Sequence, residues 1–262
     1  MAGPVRAFAR GLNVLAALNK LGAASSAAVA AAAGLPRPTV HRLLETLQAE
    51  GYVARGAARD QFRLTLAVRR LSEGFDDDAW ITEIAQPVLA DLVHVVVWPT
   101  DIATFERNAM VIRASTHRQS PLSIDRAMLG TRLPILRTAT GRAYLAFCPP
   151  RERETILAAL ARGDDEDAAI ARKTRAVQQT LAEIRRRGYA TRRREYVRET
   201  SSIALPIRHR NAVLGCLNII WIDAAIVFQD AVKRYLPALR NAVARVEAEL
   251  QRTAAQSGVV GD

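Results

Sequence analysis

The sequence predicts an α+β protein: an N-terminal winged helix-turn-helix domain, a linker helix, and a larger domain of helices around an antiparallel sheet. Three observations predict this. Residues 25–51 read as two short helices joined at Gly34-Leu35-Pro36. Directly after them, Tyr52–Arg55 and Gln61–Leu64 alternate like the two strands of a hairpin. Beyond residue 79, apolar runs of strand length are interleaved with amphipathic helical patterns. The implied boundaries are 1–66 for the first domain, 67–78 for the linker helix and hinge, 79–255 for the second domain and 256–262 for a frayed tail.

In chain order, Val5–Leu21 places Phe8, Leu12, Leu15 and Leu18 at helical spacing and ends at Gly22, a helix expected to pack behind the helix-turn-helix. The next helix runs from about Ser26 to Ala33, with Ser25 or Ser26 as its cap. In the third, Val40, Leu43, Leu44 and Leu47 form one apolar stripe, Pro38 suits the first turn and Gly51 the far end. Arg37, Thr39, His41, Arg42, Glu45 and Thr46 are left off that stripe. Such a helix, flanked by a hairpin carrying Arg55, Arg59 and Arg63, reads as a recognition helix with a wing. Thr39, His41 and Arg42 would face base edges, while Arg37 and the wing arginines would hold phosphates. An ordinary helical hairpin with a solvated turn fits the same residues, but explains three arginines on so short a wing less well.

Leu66–Glu73 reads as a further helix, and Phe75-Asp76-Asp77-Asp78 as a hinge. The second domain opens with an amphipathic helix over Trp80–His94 and a buried strand, Val95-Val96-Val97-Trp98, stopped by Pro99. Ile102–Glu106 and Ala109–Ala114 form a hairpin turning at Arg107-Asn108, and Pro121–Ile124 reads as a short strand. Helices follow over Thr138–Phe147, Glu152–Arg162 and Ala168–Arg187, the last ended by Gly188. Ile203–Arg208 and Val213–Trp221 pair across a turn, and Asp230–Gln251 closes the domain as a long helix.

The 262 residues carry a net charge of +11, which favours a polyanionic partner. Residues 1–71 hold ten Lys/Arg against three Asp/Glu, a net of +7. The later clusters Arg185–Arg187 and Arg192–Arg194 are offset in part by Asp164–Asp167 and read as solvated faces. Half the residues are hydrophobic and 24% charged, an ordinary soluble composition. The N-terminus lacks an apolar signal core, and the most apolar stretch, 212–228, is broken by Asn218 and Asp223. A cytoplasmic protein that binds no membrane is expected. Cys148 and Cys216 lie in apolar runs and read as buried free thiols, and the four histidines show no metal-ligand spacing.

Thr138-Ala139-Thr140-Gly141 begins a helix after an extended loop, and free N–H groups at such a start suit a carboxylate. Leu122, Ile124 and Met128 offer apolar surface, while Ser202 and Asn218 are polar positions beside apolar runs. Together they describe a mostly apolar pocket for a small organic acid. The plainer reading makes the threonines N-caps and Asn218 a bulge residue. No nucleophile–base signature, glycine-rich phosphate loop or cofactor motif is present in the sequence. Catalytic residues, metal and cofactor are therefore all expected to be none. An enzyme with an accessory basic N-domain is the alternative reading.

The segments GLPRPTVHRLLETL, GYVAR, GTRLPILRTATGRAYLAF and RRRGYA resemble the isocitrate-lyase-regulator (IclR) family of bacterial transcription factors over nearly the whole chain. Within it, FRLTLAVRRLSEGFDDDAWI, VVWPTDIATF, STHRQSPLSIDRAMLGTRLP and AYLAFCP are similar to the regulators of 3-(3-hydroxyphenyl)propanoate catabolism. The resemblance implies a GAF-like effector domain, a homodimer or tetramer on a pseudo-palindromic double-stranded DNA operator, and RNA polymerase as a further partner. It implies an activator responding to an aromatic or other small organic acid. By position it maps the effector pocket onto Ala139, Thr140, Ser202, Asn218 and Ile220, with Leu122, Ile124 and Met128 nearby. Two departures stand out: Pro38 replaces a usual Ser or Thr, and Asn218 and Ile220 replace pocket serines, which favours a larger, partly apolar ligand.

Overall fold

A computed structural model of the chain describes residues 5–58, 60–71 and 79–257. The chain divides into two compact units, Met1–Asp76 with Asp125–Ala127, and Asp77–Ile124 with Met128–Asp262. The helix expected over Leu66–Glu73 is seen as the short α4 (Leu66–Arg70), with Leu71 in a turn; residues 72–73 and the hinge expected at 75–78 lie outside the described residues.

The N-terminal unit has three helices, α1 (Arg6–Leu21), α2 (Ser26–Ala33) and α3 (Arg37–Ala49). They close on a three-stranded antiparallel sheet of β1 (Ala24–Ser25), β3 (Gln61–Leu64) and β2 (Val53–Arg55), in that order. Ser25 caps α2, its hydroxyl accepting the Ala28 N–H at 3.2 Å. Gly34 ends α2 in the left-handed conformation, which only a residue without Cβ adopts at little cost. Val14, Leu18, Val29, Val40, Leu44 and Phe62 form the core. One expectation is corrected: Phe8 and Leu12 do not pack behind the helix-turn-helix. They are 67% and 50% exposed, because α1 turns Val14, Ala17 and Leu18 inward instead.

The second unit is a six-stranded antiparallel sheet with helices on both faces. Its strands are β4 (Thr100–Glu106), β5 (Ala109–Ser115), β6 (Arg132–Pro134), β7 (Ala190–Arg193), β8 (Thr200–His209) and β9 (Ala212–Ile222), arranged β6-β5-β4-β9-β8-β7. A π-helical turn, Ile81–Ala85, leads into α5 (Gln86–Val96), which packs with the closing helix α10 (Phe228–Ser257). That face of the sheet presents Ile102, Ile203, Leu205, Leu217, Ile219 and Trp221. The other face presents Ala103, Ile112, Ala190, Ala204 and Cys216 to α6 (Ala139–Phe147), α7 (Pro150–Ala161), α8 (Glu166–Ala171) and α9 (Thr174–Arg187). Alternation along each strand thus supplies two separate cores.

Three local expectations are corrected. Val95-Val96 is not a strand: α5 runs through Val96 and ends because Val97 takes a left-handed conformation at φ 66°. The apolar run is helical because Val88, Leu92 and Val96 lie at helical spacing against α10. Pro121–Ile124 forms turns rather than a strand. The helix expected over Ala168–Arg187 is broken at Arg172-Lys173 into α8 and α9. Strands β6 and β7 pair at the two edges, and their three and four residues are too short to show an alternation.

Candidate functional site

The candidate recognition surface expected from the sequence lies on α3. Val40 and Leu44 anchor it, and with Leu43 and Leu47 packed against the core the opposite side of the helix is left outward. Pro36 precedes the helix and Pro38 lies in its first turn, as its missing N–H allows. Arg42 is exposed. Thr39 is half-buried, and with Ala7, Arg10, Pro38, Arg42 and Thr46 it lines a cleft of about 390 Å³ between α1 and α3. His41 sits on the opposite flank, its ring edge against Phe62 of the wing and its Nε2 3.3 Å from Glu45.

The wing is the β2–β3 hairpin, fixed by the buried Phe62. Arg55 lies over the Phe62 ring at 4.3 Å, and both Arg55 and Arg63 are exposed. Arg59, expected at the tip, lies outside the described residues. Arg37 is engaged by the protein itself: Nε donates to Ser26 Oγ at 3.4 Å and its guanidinium stands 3.5 Å from Asp60. Its side chain nevertheless stays 64% exposed, so this pair is a weak surface contact.

In the second unit, sheet register assembles the expected polar residues. Ala190, Ala204, Asn218, Asp101 and Ser115 form one cross-strand row, and Arg192, Ser202 and Ile220 the next. Because Ala103, Ala204 and Cys216 on the same alternation face α6, both rows lie on that side. Helix α6 packs over β8 and β9 and begins with Thr138 as its cap: Oγ1 accepts the Gly141 N–H at 3.2 Å and donates to Pro134 O at 2.8 Å. Thr140, Ser202 and Asn218 are 1%, 3% and 5% exposed. The structure therefore brings Ala139, Thr140, Ser202, Asn218 and the half-buried Ile220 onto one covered face rather than around an open cavity. Met128 packs against the core on this side. Leu122 and Ile124, at 40% and 52% exposed, do not join it; the loop that carries them turns outward.

Sequence reasoning missed three residues here. Asp101 is 1% exposed, and its main-chain N–H donates to Asn218 Oδ1 at 2.8 Å. Neither of its carboxylate oxygens accepts a hydrogen bond among the described residues. His117 Nε2 stands 3.5 Å away, and His117 Nδ1 lies 2.6 Å from Ser123 Oγ. The third is Arg192, whose guanidinium donates to the Val197 and Thr200 carbonyls and to Thr200 Oγ1 at 2.7–2.9 Å, closing the β7–β8 turn. Burial lowers its pKa to about 10. Strand polarity at position 101 was the only available signal, since register becomes visible only once the strands pair.

Two family models match the chain: the IclR helix-turn-helix domain over residues 7–57 and the bacterial transcriptional regulator IclR C-terminal domain over residues 77–248. The chain belongs to the IclR family. It is 28% identical to the probable transcriptional regulator SauR of Cupriavidus necator, covering 92% of this chain and 94% of that one. It is 27% identical to the DNA-binding transcriptional repressor YiaJ of Escherichia coli, over 83% and 78%. An IclR-family regulator from Brucella abortus superposes with a TM-score of 0.58 at 25% identity, covering 94% and 93%. An IclR homologue from Microbacterium hydrocarbonoxydans, solved with 4-hydroxybenzoate, gives 0.61 at 23% identity, covering 94% and 99%. This chain is accordingly a DNA-binding transcriptional regulator of the IclR family, and the enzyme reading is set aside. Among the described residues no helix is long and apolar enough to cross a membrane.

Proposed function

We propose that this IclR-family regulator activates an aromatic-acid catabolic operon, binding its effector acid between α6 and the sheet of the second unit. The observation that carries this is the covered polar face itself. Thr140 is buried in the first turn of the nine-residue α6, and Ser202 and Asn218 are buried on the sheet face that α6 covers. That helix start favours a carboxylate, while Ala204, Ile220 and Met128 supply apolar contacts for a ring. The 4-hydroxybenzoate held by the Microbacterium homologue and the sequence likeness to regulators of 3-(3-hydroxyphenyl)propanoate catabolism support the same ligand class.

On DNA, Arg42 reads base edges at the centre of the exposed face of α3, with Pro38, Thr39 and His41 around it, and Arg37, Arg55, Arg59 and Arg63 hold phosphates. The protein acts as a homodimer or tetramer on half-sites about one helical turn apart, ~34–36 Å. The exposed apolar residues Phe8 and Leu12 on α1, with Val5 just before it, support self-association, since a monomer gains nothing from exposing them. RNA polymerase is the downstream partner of an activator. A thermal-shift screen of small organic acids tests the effector class. Benzoates or phenylpropanoates raise the melting temperature in proportion to log concentration above Kd, whereas a shift only with sugar acids assigns a different class.

A further inference from the structure

We propose that Asp101, steadied by His117, accepts a hydrogen bond from a hydroxyl group on the effector, so that the site prefers a hydroxylated aromatic acid to its unsubstituted parent. This rests on the effector site described above and specifies its far end. Asp101 is the second residue of β4, in register with Asn218 of β9 and Ser115 of β5, and alternation turns it toward the α6 side. It is 1% exposed, yet both carboxylate oxygens lack a hydrogen-bond donor among the described residues. His117 Nε2, at 3.5 Å, is beyond the usual length for a charge-assisted hydrogen bond. His117 is itself held by Ser123 at 2.6 Å, which fixes the ring beside the carboxylate.

A buried carboxylate that accepts nothing is costly, and a chain with Asn at this position would bury a neutral group instead. Two buried acceptor oxygens with no donor among the described residues fit a site whose donor is supplied from outside. A phenolic hydroxyl is such a donor: neutral at physiological pH, with a single O–H to give. The carboxylate of the same ligand is repelled by Asp101 and goes to the start of α6, so the two ends are distinguished by charge.

Isothermal titration of the full-length protein with matched pairs tests this: 3- and 4-hydroxybenzoate against benzoate, and the hydroxyphenylpropanoates against 3-phenylpropanoate. At least one hydroxylated acid binds roughly tenfold or more tightly than its parent, the range expected for a hydrogen bond to a charged group. Asp101→Asn, whose amide oxygen still accepts but carries no charge, lowers that ratio severalfold. Equal affinities in the native protein overturn the inference and leave the effector site standing; so does a ratio that survives in folded Asp101→Asn. If no member of any pair binds, the aromatic-acid reading falls and this inference with it. The ligand-free protein supplies a second readout. Asp101→Asn melts at the same temperature as the native chain or a few degrees higher. A fall of several degrees, or failure to fold, shows a structural ion pair with His117 and overturns the inference.

Discussion

The side-chain carbonyl of Asn218 accepts the main-chain N–H of Asp101 at 2.8 Å, tying β9 to β4 where both strands turn polar residues toward α6. An apolar replacement leaves that buried N–H without its partner, a loss of about 1–3 kcal/mol. Asn218→Leu is therefore expected to lower the melting temperature by several degrees, measured by calorimetry. An unchanged midpoint would show that the N–H finds another acceptor.

Gly141 is fixed by space rather than by backbone angle. A Cβ there would lie 2.1 Å from the carbonyl oxygen of Ile135 and 2.5 Å from its Cα. Backbone at that range has to move, so Gly141→Ala displaces the start of α6 from the loop beneath it. The expected outcome is a loss of at least roughly 1–3 kcal/mol in denaturant unfolding, together with lost effector affinity. Retention of both by the variant would mean that α6 does not cover the ligand.

Arg42 stands exposed at the middle of α3, and Arg55 is held over Phe62 on the wing. Their substitutions should differ in kind. Arg42→Ala costs about 1–3 kcal/mol of operator binding and relaxes sequence choice, read by footprinting against a mutated site. Arg55→Ala weakens binding to all sequences and lowers the slope of log affinity against log salt by about 1. Identical signatures for the two variants would overturn this division of labour.

Burial pushes the Cys148 thiol up to about 11 and raises Cys216 as well. Both thiols are protonated at neutral pH, so neither is alkylated in the folded protein over minutes; rapid labelling at pH 7.5 would contradict this. A raised folded-state value means that the stabilisation is complete below the unfolded thiol's value, about 8.5, and is lost as pH climbs toward 11. Cys148→Ser is expected to flatten the fall in stability across that window.

The N-terminal unit was largely legible because its signals are local: a stripe at 40, 43, 44 and 47, a glycine at 34, and a period-two wing within twelve residues. Phe8 and Leu12 misled because helical spacing marks a face without saying what covers it. In the second unit, Thr138–Phe147 and the β8–β9 pair were readable, whereas β6 and β7, at three and four residues, are too short to show an alternation. Val95-Val96 shows the limit of propensity: Val96 is buried in the core shared with α10, and the exposed Val95 follows it into the helix. Asp101 and His117 come together across sixteen residues only when the β4–β5 hairpin closes, so neither was visible as a site beforehand.

Selection from a random duplex library by the full-length protein, repeated with Arg42→Ala, tests the central claim that α3 and its wing read DNA as a symmetric pair. The account predicts one enriched pseudo-palindrome with half-site centres about one helical turn apart, 10–10.5 base pairs, losing definition at specific positions with the variant. Enrichment of no sequence, or of the same sequence with equal definition by both proteins, would contradict it.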